Sequence, residues 1–236
     1  MIVFRSILFN IIFYIWTAGL AVLFTPLLAL PRGAIVWGLE TWAKGTMVLL
    51  RVICGTRIEI KGLEHKPQGA SLVAAKHQSM WDTIIAHILV DDPAIILKAE
   101  LAMIPFYGWH ARRAKMIIVN RDAGSKALKK LVKDGKARIA ENRPIVIFPE
   151  GTRSAPGAVP DYKPGIAALY NQLDVPCVPV ALNSGLFWGR RSFLRHPGTI
   201  TLAFLPPIEA GLKRKEFMRR LESEIETATA KLVENP

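Results

Sequence analysis

Cysteine is nearly absent from this chain. Cys54 and Cys177 are the only two in 236 residues, too few for a disulfide framework and, by themselves, for a four-ligand zinc site. Acidic residues are scarce too, with 19 Asp+Glu against 31 Lys+Arg and a net charge of +12 at pH 7. Several chemical signatures are missing. There is no Gly-x-Ser-x-Gly elbow, which argues against a serine hydrolase of that type. There is no P-loop and no Gly-x-Gly-x-x-Gly. The five histidines, His65, His77, His87, His110 and His196, contain no His-Glu-x-x-His pair, and no metal site is expected. Zinc-finger spacing and an RNA-binding aromatic signature are also lacking. No internal repeat, linker or low-complexity tract occurs.

What is present is an unusual pairing of oil and positive charge. The chain is 51% hydrophobic, with a mean hydropathy of +0.26 and a pI near 10.0. That hydrophobic content excludes disorder, and the length suffices to bury a core. A basic soluble protein suggests nucleic acid; a basic protein with a greasy end suggests a membrane surface.

The oil lies at the front. From Ser6 to Pro31 there are 26 residues without Asp, Glu, Lys or Arg, flanked by Arg5 and Arg32. About 20 apolar residues can cross a bilayer as a helix. Pro26 and Pro31 end such a helix early, so its body is expected at Ile7–Phe24, with a tight turn at Pro31-Arg32-Gly33. A second helix is expected from about Ala34 to Ile53. Glu40, Lys44 and Arg51 share one of its faces, and much of the rest is apolar, a pattern that suits the membrane interface. Residues 1–54 are therefore expected to form a membrane-embedded helical hairpin, in one leaflet or spanning shallowly. A single transmembrane helix followed by a surface helix is the alternative. The apolar run is too long for the core of a signal peptide.

Residues 55–236 read as one α/β domain with a mixed β-sheet flanked by helices. Strands are expected at Arg57–Ile60, Ser71–Ala75, Ala94–Leu97, Met116–Val119, Pro144–Phe148, Cys177–Leu182 and Thr199–Leu205. Helices are expected at Met80–Leu89, Lys126–Ala140, Gly165–Leu173 and Arg214–Val233, and Ile104–Trp109 reads as an aromatic loop. In such sheets chemistry gathers beyond the strand ends.

Three strand ends carry unusual residues. In Lys76-His77-Gln78-Ser79-Met80-Trp81-Asp82, a turn at Gln78-Ser79 would fold Asp82 back onto the His77 imidazole. A carboxylate on one ring nitrogen leaves the other free to take a proton from a hydroxyl. In Phe148-Pro149-Glu150-Gly151-Thr152-Arg153-Ser154, Gly151 permits a tight turn and Arg153 offers a planar fork suited to phosphate. Glu150 either orients that Arg or holds a substrate hydroxyl. The third region gives Lys98 and Arg121 as further phosphate donors. For each, the bland alternative is a structural pair or a capped turn.

In order and spacing, His77-x-x-x-x-Asp82, Arg121 behind an apolar strand, Phe148–Ser154 and Val178-Pro179-Val180 resemble the glycerolipid acyltransferases. The chain closely resembles the bacterial 1-acyl-sn-glycerol-3-phosphate acyltransferases, over about residues 55–210. The chain departs from that pattern at Lys76, where Asn is common, and at Asn120, where many members have Asp. The resemblance implies His77 as general base and Asp82 as its holder. It implies Lys98, Arg121 and Arg153 at a phosphate, and Glu150, Gly151 and Thr152 on the glycerol side. The implied reaction passes a fatty acyl group from acyl-CoA or acyl-carrier protein to lysophosphatidic acid, with no cofactor and no acyl-enzyme. Backbone N–H groups near Gly151, or at the start of the Met80 helix, are candidates for the oxyanion. Another lysolipid acceptor, such as lyso-ornithine lipid, or a non-enzymatic basic membrane-surface protein, is the alternative.

The charge then has a place. Between Lys98 and Arg143 twelve Lys/Arg face four Asp/Glu. Such a surface attracts anionic membrane lipids or an acidic carrier protein rather than nucleic acid. The location implied is the cytoplasmic face of a bacterial inner membrane.

Overall fold

The computed structural model describes residues 1–120 and 123–236. The order is α1 (Ile2–Leu23), α2 (Arg32–Leu49), β1 (Thr56–Lys61), β2 (Leu72–Ala75), α3 (Trp81–Leu89), β3 (Ala94–Lys98), α4 (Tyr107–Arg113), β4 (Ile117–Val119), α5 (Gly124–Ala140), β5 (Ile145–Ile147), α6 (Gly165–Leu173), β6 (Cys177–Leu182), β7 (Gly198–Phe204) and α7 (Arg214–Glu234). The seven strands form one sheet in the order β1-β7-β6-β2-β5-β3-β4. Every neighbouring pair is parallel except β6 and β7, which run antiparallel.

Alternation along the central strands sorts the core into two layers, because successive side chains of a strand point to opposite faces. Val73, Ala75, Val146, Val178 and Val180 pack with α3 and the front helices. Leu72, Ala74, Ile145, Ile147 and Cys177 pack with α5, α6 and α7. The central strands are buried on both faces, as their unbroken apolar sequences require.

α1 and α2 lie antiparallel, joined by a 3-10 turn at Thr25–Ala29 that holds Pro26. Gly45 makes their contact possible: a β-carbon there would lie 2.2 Å from the Trp16 ring. Trp16 Nε1 donates to the Trp42 carbonyl at 3.2 Å, and Trp42 Nε1 to Thr17 Oγ1 at 3.0 Å. α2 ends in a π-helical turn, Leu50–Cys54, closed by Gly55 at φ 75°.

The hairpin is bolted to the domain along one side. Phe9 and Phe13 stand edge-on to Trp188 at 5.3 and 5.5 Å, and the Arg195 guanidinium lies 4.5 Å from the Trp188 ring. Removing a buried ring such as that of Phe13 costs on the order of 3–5 kcal/mol. The other side of α1, with Phe4, Ile7, Ile11 and Ile15, is exposed. Among the described residues, α1 is the one helix long and apolar enough to cross a membrane.

Three sequence expectations are corrected. Arg32 and Gly33 belong to the first turn of α2 rather than to a loop. The aromatic stretch is half helical: Phe106, at φ 62°, leads into α4. Met1 caps α1, which therefore begins before Ile7.

Candidate active site

β2 and β5 are parallel neighbours, as are β5 and β3 and β2 and β6. Their C-terminal ends therefore share one edge of the sheet, and the loops leaving them meet there.

Beyond β2, the Lys76 N–H makes a last bond to the Val180 carbonyl at 2.9 Å. The chain then turns through His77, Gln78 and Ser79 into α3. Asp82 closes that turn. Its Oδ2 accepts the N–H groups of Gln78 at 2.7 Å and Ser79 at 2.8 Å, and lies 2.9 Å from His77 Nδ1. Ser184, just beyond β6, donates its hydroxyl to Asp82 Oδ1 at 2.5 Å. Two residues five apart would diverge on a regular helix; here one precedes the helix, and the turn brings them together. The Asp82 side chain has no exposed surface, and that of His77 has 13%. An ionised carboxylate only accepts, so Nδ1 carries the ring proton and Nε2 presents a lone pair. The Phe148 ring stacks on the imidazole at 4.0 Å.

The loop beyond β5 grips the same histidine by its backbone. Gly151 has φ 67°, a left-handed conformation that disfavours a β-carbon. With the loop so turned, Ser154 N–H donates to the His77 carbonyl at 2.8 Å. Glu150 Oε2 accepts the His77 N–H at 3.3 Å.

His77 opens onto a cavity of about 870 Å³, within the range typical of ligand sites. Its polar lining includes Lys98, Glu100, Thr152, Arg153 and Lys163. Its apolar lining includes Ile96, Leu97, Leu128, Leu131, Ile147 and Ile166. The site thus brings a histidine held by a carboxylate together with cationic and apolar side chains around one cavity.

A family model described as Acyltransferase matches residues 57–183, the span that holds all of these groups except Ser184. The chain belongs to this acyltransferase family. It is 31% identical over 210 residues to a 1-acyl-sn-glycerol-3-phosphate acyltransferase of Pseudomonas aeruginosa, covering 87% of this chain and 81% of that one. It is 29% identical over 178 residues to a 1-acyl-sn-glycerol-3-phosphate acyltransferase of Limnanthes alba, with 75% of this chain and 59% of the plant protein covered. The fold is that of the crystal structure of the 1-acyl-sn-glycerophosphate (LPA) acyltransferase PlsC from Thermotoga maritima. The two superpose with a TM-score of 0.82 over 98% of each chain, at 22% identity.

Within this acyltransferase, the structure brings His77, Asp82, Lys98, Gly151, Thr152 and Arg153 to one place. Arg121 lies outside the described residues. Glu150 departs from its expected position. It is buried behind the cavity, where Oε1 accepts from Lys76 Nζ at 2.8 Å and Ser154 Oγ at 2.7 Å. It neither pairs with Arg153 nor lines the cavity, because Lys76, the departure from the family pattern, draws it inward. Of the backbone groups near Gly151 or at the start of the Met80 helix, Gly151 N–H donates to the Phe148 carbonyl at 2.8 Å and Trp81 N–H to the Ser79 hydroxyl at 3.1 Å.

Sequence reasoning missed Lys163, Ser184 and the stacking role of Phe148. The Lys163 N–H bonds the Pro149 carbonyl at 2.8 Å, which ties it to the same loop. No local pattern marks Ser184, which reaches Asp82 across 102 positions of sequence. The other chemically suggestive groups sit elsewhere. Burial pushes the His87 imidazole down to about 4, and His110 is held between the Phe106 and Phe24 carbonyls at 2.7 and 3.2 Å. Cys54 and Cys177 are both buried, and burial pushes the Cys177 thiol up. Among the described residues no group of three or more His, Cys, Asp or Glu is placed to hold a metal ion.

Proposed function

We propose that this acyltransferase transfers a fatty acyl group from a thioester donor, acyl-CoA or acyl-carrier protein, to the sn-2 hydroxyl of lysophosphatidic acid, giving phosphatidic acid. The observation that carries the reading is the His77–Asp82 pair at the wall of a cavity lined by Lys98 and Arg153 and by apolar residues. His77 Nε2 takes the hydroxyl proton as the oxygen attacks the thioester carbonyl. The carbon–sulfur bond then breaks, and the imidazolium returns a proton to the leaving thiolate. Asp82 fixes the tautomer and stabilises the imidazolium. Lys98 and Arg153, with Arg121, bind the phosphate, Arg as a planar fork and Lys as a point charge. Gly151 and Thr152 shape the glycerol side. Leu128, Leu131 and Ile147 receive acyl chain. The names of the relatives support the acceptor, and the step needs no cofactor.

Residues 1–54 serve as the membrane anchor of the catalytic domain, residues 55–236. One side of α1 is spent on the domain and the other is apolar and exposed, which favours a hairpin lying in one leaflet. Exposed Lys126, Lys129 and Lys133 on α5 add attraction to anionic lipid of about 1 kcal/mol each near the surface. The domain then faces the cytosol, the source of the thioester, on a bacterial inner membrane.

The test supplies purified protein in detergent with lysophosphatidic acid and labelled acyl-CoA or, in parallel, acyl-carrier protein. Product is followed by mass spectrometry. Phosphatidic acid from at least one donor is expected. Its absence with both, or exclusive acylation of lyso-ornithine lipid, would overturn the assignment.

A further inference from the structure

The C-terminal helix reaches the site from behind. Glu226 on α7 meets the buried Lys76 ammonium with both carboxylate oxygens, at 2.8 and 3.0 Å. The third acceptor of that ammonium is Glu150 Oε1, at 2.8 Å. An ammonium has three N–H donors, and here each has a carboxylate oxygen. The Lys76 side chain is 2% exposed, that of Glu150 3% and that of Glu226 26%. Tyr162 completes the group by donating its hydroxyl to Glu226 Oε1 at 2.9 Å. Burial first, and then the Glu226 carboxylate, push the Tyr162 hydroxyl up, so it stays a donor.

This group connects to His77 twice. Lys76 is its chain neighbour. Glu150 accepts the His77 N–H, and Ser154, which donates to the same Glu150, also donates its N–H to the His77 carbonyl. Without Glu226, a buried ammonium loses two of its three acceptors, which is costly unless the side chain moves. Any such movement begins one residue from the proposed base.

We propose that Glu226 is a positioning residue for the reaction: from α7 it fixes the Lys76 ammonium against Glu150, and that pair holds the His77 backbone so that the imidazole stays on Asp82 and open to the cavity. Glu226 touches neither substrate. It acts through Lys76, so its loss falls on the chemical step and leaves lysophosphatidate binding alone.

The inference rests on His77 being the base, so His77→Ala belongs in the same series as Glu226→Ala, Glu226→Gln and Leu221→Ala. Leu221 is buried on the same helix and outside the charged group. Glu226→Ala is expected to lower kcat about 30- to 100-fold, the scale of a small misplacement of a catalytic group, with KM for lysophosphatidic acid unchanged. Glu226→Gln keeps an acceptor oxygen and is expected to recover part of that loss. Leu221→Ala is expected to lower Tm at least as much while keeping kcat. Wild-type kcat in Glu226→Ala would overturn the inference, as would an equal kcat loss in Leu221→Ala. If Glu226→Ala fails to fold, wild-type kcat in Glu226→Gln overturns it instead. An inactive His77→Ala beside a fully active Glu226→Ala defeats this inference alone; a fully active His77→Ala defeats the assignment of the base.

Discussion

His77 Nδ1 lies 2.9 Å from Asp82 Oδ2, and the same oxygen holds the Gln78 and Ser79 N–H groups at 2.7 and 2.8 Å. One carboxylate thus fixes both the ring and the turn that presents it. Asp82→Asn places an amide where a carboxylate oriented the imidazole. Its carbonyl oxygen would stay on the Gln78 and Ser79 N–H groups, so the ring keeps an acceptor but loses the negative charge that stabilises the imidazolium. The expected result is a fall in kcat of about 10²- to 10⁴-fold, with KM for lysophosphatidic acid little changed. Steady-state kinetics on protein shown folded by circular dichroism checks this.

Arg153 lines the cavity, and among the described residues no carboxylate pairs with it. Its fork is therefore available to an anion. Arg153→Ala is expected to raise KM for lysophosphatidic acid about 10- to 100-fold, the loss of a charge-assisted contact. Lys98→Ala should act in the same direction but more weakly, because Lys98 is exposed. Kinetics with lysophosphatidic acid and with an uncharged monoacylglycerol separates phosphate recognition from a general defect: only the charged acceptor should suffer.

The front helix has two sides with different fates. Phe9 and Phe13 are buried against Trp188, whereas Ile7, Ile11 and Ile15 are exposed. Truncating the helix would uncover Trp188, so point changes on the outer side give the cleaner result. Ile7→Asp with Ile11→Asp is expected to release the protein from vesicles containing anionic lipid, with Tm little affected. Flotation together with thermal unfolding measures both.

The fold was legible wherever a local pattern decided it. Cys177–Leu182 is a strand with the same limits in sequence and structure, because an apolar run between turn residues has few other fates. The His77–Asp82 pair was legible because five positions and one turn suffice to bring the residues together. α4 was not legible. It has seven residues, begins after Phe106 at φ 62°, and includes Gly108, where a β-carbon would lie 2.1 Å from the Ala102 carbonyl oxygen. Tertiary contact, not periodicity, makes it a helix. The antiparallel β6–β7 pair and the inward turn of Glu150 were equally hidden. Both depend on partners remote in sequence: for Glu150 the partner is Lys76, 74 positions away, itself held by Glu226 150 positions from it.

The most direct measurement is turnover by His77→Ala in the phosphatidic acid assay, on protein whose Tm matches that of the wild type. Removing the base and its positioning together should lower kcat about 10³-fold or more, with lysophosphatidic acid still bound. Near-wild-type turnover by that variant would contradict the proposed mechanism at its centre.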